Sequence, residues 1–202
     1  MFIKFLAASV LALAMASPVL AQSGASAEAQ PASPSGAPCV LLFGGAYQAT
    51  NNALINGLTL KMNAAVNDDL SARMKGGGYT IYDFFRESTS ADETDKLVVE
   101  GISKSKCPEI VQLASTLSNP PDANSPGGFG FSVLVFHLEK QSGGDGQHFR
   151  VVGDFQKDYE YLRTEEVLKT LAMDDVAERI LGDIEASGTL AKMKAPPAST
   201  AP

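Results

Sequence analysis

Cys39 and Cys107 are the residues whose chemistry is easiest to interpret, because they are the two cysteines of the chain. An even number of cysteines usually forms disulfides when a protein is exported, and the amino-terminal residues described below have the pattern of an export signal. A zinc site would need additional ligands near them, and a catalytic thiol would need a base, yet both histidines lie far away in sequence. We therefore predict a disulfide between Cys39 and Cys107, with the other two chemistries as alternatives. Closing a loop of about 68 residues would stabilise the fold by up to about 4 kcal/mol through loop-closure entropy.

The other residues that could do chemistry form no catalytic pattern. His137 lies in an apolar segment, which favours a packed core or interface residue over a base, and His148 follows a turn. A serine or cysteine nucleophile needs an adjacent base, and the chain contains no G-x-S-x-G motif. The acidic and amide candidates lack paired-carboxylate or calcium-loop spacing; they are Asp68, Asp69, Asp83, Asp122 and Asn124. We therefore predict that the chain has no catalytic, metal or cofactor site and that the protein is not an enzyme.

One segment could bind a ligand through its backbone. The stretch LLFGGAYQATNN reads as a strand, two glycines and a helix start, an arrangement whose free N–H groups can hold an anion. It lacks the G-x-G-x-x-G spacing and the lysine of a phosphate-binding loop. Gly44, Gly45 and Gln48 are therefore candidates for a binding loop, and a tight turn without a ligand is the alternative.

The elements that position these residues follow from hydrophobic periodicity. We predict strands at residues 40–43, 79–85, 110–117, 129–138 and 148–161. A helix capped by Asn51 or Asn52 should end at the three glycines 76–78, with a buried stripe recurring every four residues; the stripe is Leu54, Leu58, Met62, Val66, Leu70 and Met74. Ser90 and Glu93 have capping-box spacing for a second helix, and Thr164 caps a last helical region with a possible break near Asp174.

The last predicted strand alternates between apolar and polar residues, which indicates a hairpin with one wet face. Its apolar face is predicted as Phe149, Val151, Phe155, Tyr159 and Tyr161, and its polar face as Arg150, Asp154, Asp158 and Glu160. The complete order is β-α-β-α-β-β-β-α, or the same with one strand fewer. It predicts an α/β (α+β) two-layer sandwich in which about three helices cover one face of a mixed sheet of about five strands. If the strands at 40–43 and 110–117 are parallel neighbours, both cysteines lie at the same end of the sheet.

The amino terminus carries the pattern of a cleavable signal peptide. Lys4 precedes an apolar run of about a dozen residues, shorter than the roughly 20 needed to span a membrane. Small residues then precede a predicted cleavage site between Ala21 and Gln22. No cysteine follows that site directly, so we expect release into the periplasm or secretion without a lipid anchor, and no later transmembrane segment.

Composition sets the domain boundaries and limits the partners. We predict a signal peptide at 1–21, a disordered linker at 22–38, a single α/β domain at 39–188 and a flexible tail at 189–202, because the flanking segments are rich in Ala, Ser and Pro. Removing Lys4 with the signal peptide would change the formal charge from −7 to −8. A net acidic chain without a Lys/Arg cluster argues against nucleic acid as the main partner.

The order and character of these segments resemble a group of periplasmic accessory domains. That group contains the amino-terminal domain of TolB, the curli-secretion protein CsgG and the lipoprotein activators of penicillin-binding proteins. The similar segments are GGGYTIYDFF, SKCPEIVQL, FSVLVFHLEK, HFRVVGDFQKDYEYL and EEVLKTLAMDDVAERILGDI, which span most of residues 39–187. The chain departs from many members because it lacks a lipobox, so it gives no support for outer-membrane attachment. The resemblance implies assembly or scaffolding rather than catalysis.

These observations predict an exported, soluble periplasmic protein that acts as an accessory or scaffolding domain by binding an envelope protein. The alternatives are a small-ligand binder that uses residues 44–48 with the 119–128 loop, and a hydrolase with an unrecognised site. The sequence leaves the oligomeric state and the identity of the partner open.

Overall fold

The computed structural model describes residues 39–118, 126–141 and 148–190. Within these residues the chain forms five strands and four helices in the predicted α/β class. The elements are β1 (Cys39–Tyr47), α1 (Ala53–Gly76), β2 (Thr80–Ser88), α2 (Ala91–Ser105), β3 (Glu109–Ser118), β4 (Gly128–Gln141), β5 (His148–Leu162), α3 (Glu165–Thr170) and α4 (Met173–Ala186). Both the mixed sheet and the predicted break in the last helical region are confirmed.

All five strands form one sheet in the order β2-β1-β3-β4-β5. β1 is parallel to both β2 and β3, whereas β4 is antiparallel to β3 and β5. The chain moves from β1 to β2 in one direction and from β2 past β1 to β3 in the other. Because crossovers between parallel strands are right-handed, the two connecting helices must lie on opposite faces of the sheet.

The core is divided between these two faces. On one face, α1 and α4 pack on the sheet around Val40, Leu42 and Val111. On the other face, Val98 of α2 packs with Leu41 and Phe43. The expectation that the helices cover one face is therefore wrong for α2, which adds a partial third layer.

Local signals set the helix ends as predicted. The Asn52 side chain accepts hydrogen bonds from the amides of Leu54 and Ile55, and Gly77 caps the end of α1. Ser90 and Thr164 cap α2 and α3 through their hydroxyl groups. The side chains of Asn52, Ser90 and Thr164 satisfy amide groups that the first helical turn leaves without a partner, whereas the Gly77 amide donates to the Arg73 carbonyl of the last turn.

The predicted apolar stripe of α1 is buried along the second half of the helix. Val66, Leu70 and Met74 are fully buried, whereas Leu54 is 82% and Leu58 46% exposed. A second stripe at the same four-residue spacing is polar yet also buried; it consists of Thr59, Asn63, Asn67 and Ser71. The first two turns of α1 therefore present leucine side chains to solvent.

A bulge in the β4–β5 hairpin changes which residues of β5 face the core. Val135 pairs with Phe155 and Phe136 with Gly153, so Asp154 is an extra residue in β5. One added residue reverses the face of the sheet toward which each side chain of the strand points on the far side of the bulge. The predicted alternation is correct for Phe155, Tyr159 and Tyr161, which pack on the α1 and α4 side, and wrong for Val151, which is 50% exposed and pairs with Leu138 of the other face.

The predicted disulfide is present. Cys39 and Cys107 are bonded with their Cα atoms 5.1 Å apart and 68 residues apart in sequence. They stand at the same end of the parallel strands β1 and β3, so the bond ties the entry of one strand to the entry of its neighbour.

The packed domain also extends slightly beyond its predicted end, because Leu190 is fully buried in the core formed with α1 and α4. Among the residues that the structure describes, no helix combines the length and apolar character needed to cross a membrane.

Candidate functional site

The predicted glycine turn is part of β1. The strand continues through Gly44 and Gly45 to Tyr47, and both glycines are buried while Gln48 is exposed. The pairing of β1 with β3 shifts register between Phe43 and Ala46, which marks a bulge at the glycines. Gly45 has φ +98°, and a Cβ there would lie 2.3 Å from the Arg86 carbonyl oxygen. Glycine is therefore needed for backbone geometry.

Asn63 of α1 completes the hydrogen bonding of this bulge. Its side-chain oxygen accepts from the Gly45 amide at 2.9 Å, and its amide group donates to the Ala46 carbonyl at 3.3 Å and to Ser115 Oγ at 3.0 Å. The Gly45 amide is thus satisfied internally, and the Gln48 amide donates to the Ser115 carbonyl at 3.3 Å. A cavity of about 10 Å³ near Ser115 has room for about one water molecule.

The second group of candidates is centred on His137, for which the apolar sequence around it predicts a packed core or interface residue. Its Nδ1 lies 2.5 Å from Asp154 Oδ2, and its Nε2 lies 3.1 Å from Glu139 Oε1. Glu109 is the direct cross-strand partner of His137 on β3. Donor atoms of Glu109, His137 and Asp154 all lie within 4.8 Å of one another. Three strands thus bring one imidazole and three carboxylates together, a group that we call the His137 cluster.

The bulge makes this arrangement possible. In an unbulged strand Asp154 would stand opposite Phe136, on the α2 side of the sheet; as the extra residue it reaches His137 instead. The Asp154 hydrogen bond is the main cause that raises the pKa of His137, and burial opposes it; the carboxylates of Glu139 and Glu109 raise the pKa further. His137 thus favours its charged form inside the cluster.

A third candidate is an apolar groove at the opposite end of the sheet. Its cavity has a volume of about 200 Å³ and lies between α1, α3 and the start of β4. The lining residues are Leu58, Met62, Phe129, Leu168, Leu171 and Met173. Leu54, one turn from Leu58 on α1, extends the apolar surface beyond the groove. We call this set, with Leu54, the α1–α3 groove.

Charge near the α1–α3 groove is mostly acidic. Helix α3 begins with Glu165 and Glu166, and α4 begins with Asp174 and Asp175. Lys169 is engaged by Glu165 at 2.5 Å. The first two turns of α1 carry no charged residue, and the exposed Lys61 follows them directly before Met62. Four acidic residues against Lys61 and Lys169 make the charge around this apolar surface net acidic.

The remaining predicted candidates are dispersed. Asp83 on β2 accepts a hydrogen bond from Asn67 Nδ2 at 2.9 Å, and Asp68 and Asp69 remain on α1. Asp122, Asn124 and the side chain of His148 lie outside the described residues. One pair of the His137 cluster could be predicted from the sequence. His137 and Glu139 are two residues apart in a strand, so their side chains share a face of the sheet. Glu109 needs the strand register, and Asp154 needs the bulge.

Neither a protein-family model nor a curated protein matches the sequence. Several solved structures match the chain at low similarity. A hypothetical protein from Chlamydia trachomatis is 11% identical, with a TM-score of 0.38, over 76% of this chain and 97% of that one. A variant PelC dodecamer from Paraburkholderia phytofirmans is 9% identical, with a TM-score of 0.35, over 81% and 96%. A neuraminyllactose-binding hemagglutinin homolog from Helicobacter pylori is 12% identical, with a TM-score of 0.31, over 81% and 93%.

Proposed function

We propose that the protein is an exported, non-enzymatic accessory domain of the cell envelope that docks another exported protein in the α1–α3 groove. The occupant is a segment with apolar side chains flanked by Lys or Arg. The observation that carries this proposal is the exposure of Leu54, Leu58 and Leu168 beside an apolar cavity.

Exposed apolar surface favours a binding role. A leucine that is 82% exposed contributes little to folding, and clustered exposed apolar side chains typically mark interaction surfaces. The cavity of about 200 Å³ is smaller than the roughly 300–1,000 Å³ of most small-molecule sites. A few inserted side chains of a protein partner suit that volume better than a complete small ligand.

The choice of partner chemistry rests on charge. Glu166 lies two residues before the lining residue Leu168, and Asp174 and Asp175 directly follow the lining residue Met173. A basic partner would complement these carboxylates and would be attracted by the net negative chain, whereas an acidic partner would be repelled. A second copy of this chain would bring the same net acidic charge and is disfavoured for that reason.

The proposed compartment rests on the signal-peptide pattern with its predicted cleavage after Ala21. The Cys39–Cys107 disulfide supports export, because such bonds persist in oxidising compartments. The resemblance to periplasmic accessory domains points in the same direction and remains a prediction.

The hydrolase and small-ligand alternatives receive less support. The loop predicted to bind a small ligand has no open space at its glycines. The Gly45 amide is hydrogen-bonded to Asn63, and Gly44 packs closely against Asn67 and Phe85. A hydrolase would need a perturbed acid or base in a deep pocket, and His137 lines neither cavity described above.

Site-specific crosslinking in cells tests the proposal. A photoreactive residue at position 58 should yield an adduct with a second exported protein, whereas the same residue at Lys104, which is exposed on α2, should not. Leu168→Asp should abolish the adduct, and Glu166→Lys should weaken it. Glu160→Lys, at an exposed position on β5, is the matched charge control and should leave the yield of the adduct unchanged.

Three outcomes would overturn the proposal. One is an adduct whose mass equals two copies of this chain, which would make the groove a self-association surface. The others are no adduct at position 58 in folded protein, and an adduct that survives Leu168→Asp.

A further inference from the structure

The His137 cluster lies away from the α1–α3 groove and has no part in the function proposed above. We propose that Glu109, His137 and Asp154 form a binding site for a divalent transition-metal ion of the zinc class, with Glu139 positioning the imidazole. Each of the strands β3, β4 and β5 contributes one ligand to this site.

The distances fit a single ion after small side-chain rotations. The three donor atoms lie within 4.8 Å of one another. Ligand atoms about 2.1 Å from a tetrahedral ion are separated from each other by roughly 3.4 Å. Glu109 and His137 are held opposite each other by strand pairing, so the scaffold keeps their Cα atoms in place while the carboxylates adjust.

The ring orientation of His137 also fits. Its Nδ1 faces Asp154, and its Nε2 faces Glu139 Oε1 at 3.1 Å. Metal-binding histidines usually donate their second ring N–H to a carboxylate, which fixes the tautomer and orients the ring. Glu139 occupies that supporting position, so the cluster has an outer carboxylate as well as three inner donors.

Solvent can reach the inner donors without fully surrounding them. The side chains of His137 and Asp154 are 24% and 27% exposed. This partial exposure would let an ion enter and would leave room for water as a fourth ligand, as in zinc sites with three protein ligands.

The donor set selects the class of ion. One imidazole nitrogen with two carboxylates suits Zn²⁺ and neighbouring transition metals, whereas Ca²⁺ and Mg²⁺ prefer oxygen ligands alone. Two inner carboxylates also neutralise the charge of a divalent ion. The competing interpretation is an ion-pair network in which protonated His137 uses the same contacts without any metal; binding of the ion at Nδ1 would release that proton to solvent.

Calorimetric titration of the untagged protein with Zn²⁺ distinguishes these interpretations. We expect one Zn²⁺ per chain, a rise in Tm on addition of Zn²⁺, and no comparable response to Ca²⁺. His137→Ala and the near-isosteric Asp154→Asn should each weaken Zn²⁺ binding at least tenfold. Glu139→Gln should weaken it by about ten- to a hundredfold without changing the stoichiometry.

Two variants serve as matched controls. Asp158→Asn removes an exposed carboxylate from the same strand as Asp154, and His148→Ala removes the second histidine; both should bind Zn²⁺ like the unmodified chain. The proposal is overturned if the unmodified protein does not bind Zn²⁺, or if folded His137→Ala or Asp154→Asn protein binds it with unchanged affinity. Circular dichroism confirms folding of each variant, and Asp154→Asn keeps the test decisive if His137→Ala does not fold.

Discussion

The Gly45 amide donates a hydrogen bond of 2.9 Å to the side-chain oxygen of Asn63, so a residue of α1 completes the backbone hydrogen bonding of the interior strand β1. The same side chain reaches Ser115 on β3. Asn63 thus fastens the helix to two neighbouring strands at the place where their register shifts.

We expect Asn63→Ala to lower the free energy of unfolding by at least about 2 kcal/mol, because it strands buried hydrogen-bonding groups on Gly45 and Ser115. Urea unfolding measures this change. Lys61→Ala, an exposed position on the same helix, is the control and should change stability by less than about 0.5 kcal/mol. Equal losses in the two variants would contradict the role given to Asn63.

Two glycine substitutions in contrasting surroundings test the packing at β1. A Cβ at Gly44 would lie 2.4 Å from Asn67 Oδ1 and 2.9 Å from Phe85 Cδ2. Gly44→Ala should therefore destabilise the protein by about 1–3 kcal/mol through overpacking. At Gly57, inside α1, a Cβ would meet nothing within 4 Å, so Gly57→Ala should stabilise the helix by up to about 1 kcal/mol. Thermal unfolding of both variants checks the opposite signs, and an identical response would refute this account.

Removal of the disulfide should cost stability without changing the fold. We expect the double variant Cys39→Ser/Cys107→Ser to lose about 2–4 kcal/mol, since its unfolded chain regains the freedom of a 68-residue loop. Denaturant unfolding with and without reductant measures the loss. Reductant should destabilise the unmodified protein by a similar amount and leave the double variant unaffected; a variant as stable as the oxidised protein would contradict this.

Asp183 should make stability depend on pH on the acid side. Its carboxylate accepts hydrogen bonds from Lys157 Nζ at 2.7 Å and Tyr159 Oη at 2.9 Å, and these bonds, that of Lys157 first, lower its pKa below 3.8. The folded state therefore favours the charged carboxylate, and this contribution is complete above about pH 4 and lost as pH falls through the lowered pKa.

The corresponding substitution is Asp183→Asn. We expect it to remove about 1 kcal/mol at neutral pH, a modest figure because solvent reaches the side chain. The difference from the unmodified protein should shrink below pH 4 in unfolding curves. Asp158→Asn, an exposed position on the same strand as Tyr159, should show neither effect, and a deficit in Asp183→Asn that stays constant down to pH 2 would argue against this ion pair.

Several local features could be predicted because short-range chemistry controls them. The caps at Asn52, Ser90 and Thr164 depend on side chains that reach amides two or three residues away. The disulfide could be predicted because only one pairing of Cys39 and Cys107 exists within the chain. The α/β class followed from the alternation of the two hydrophobic periods.

Long-range placement escaped sequence reasoning at identifiable residues. The face covered by α2 depends on strand order, which no local pattern of Val98 reveals. The buried polar stripe through Asn63 reads as a solvated helix face until the strand bulge that needs it is known. Leu58 has the spacing of a core residue, and only the position of α3 leaves it at the edge of a groove.

The sequence by itself determined the class of fold, the helix caps at Asn52, Ser90 and Thr164, and the disulfide, since each depends on residue type and on neighbours along the chain. Tertiary structure alone brought Glu109, His137 and Asp154 together. The physical reason is register: the partner of His137 across the sheet, and the extra residue that turns Asp154 toward it, are set by how β3, β4 and β5 align. That alignment is set by the burial of entire faces of the sheet. Each face collects side chains from several strands, so no single stretch of sequence contains the information.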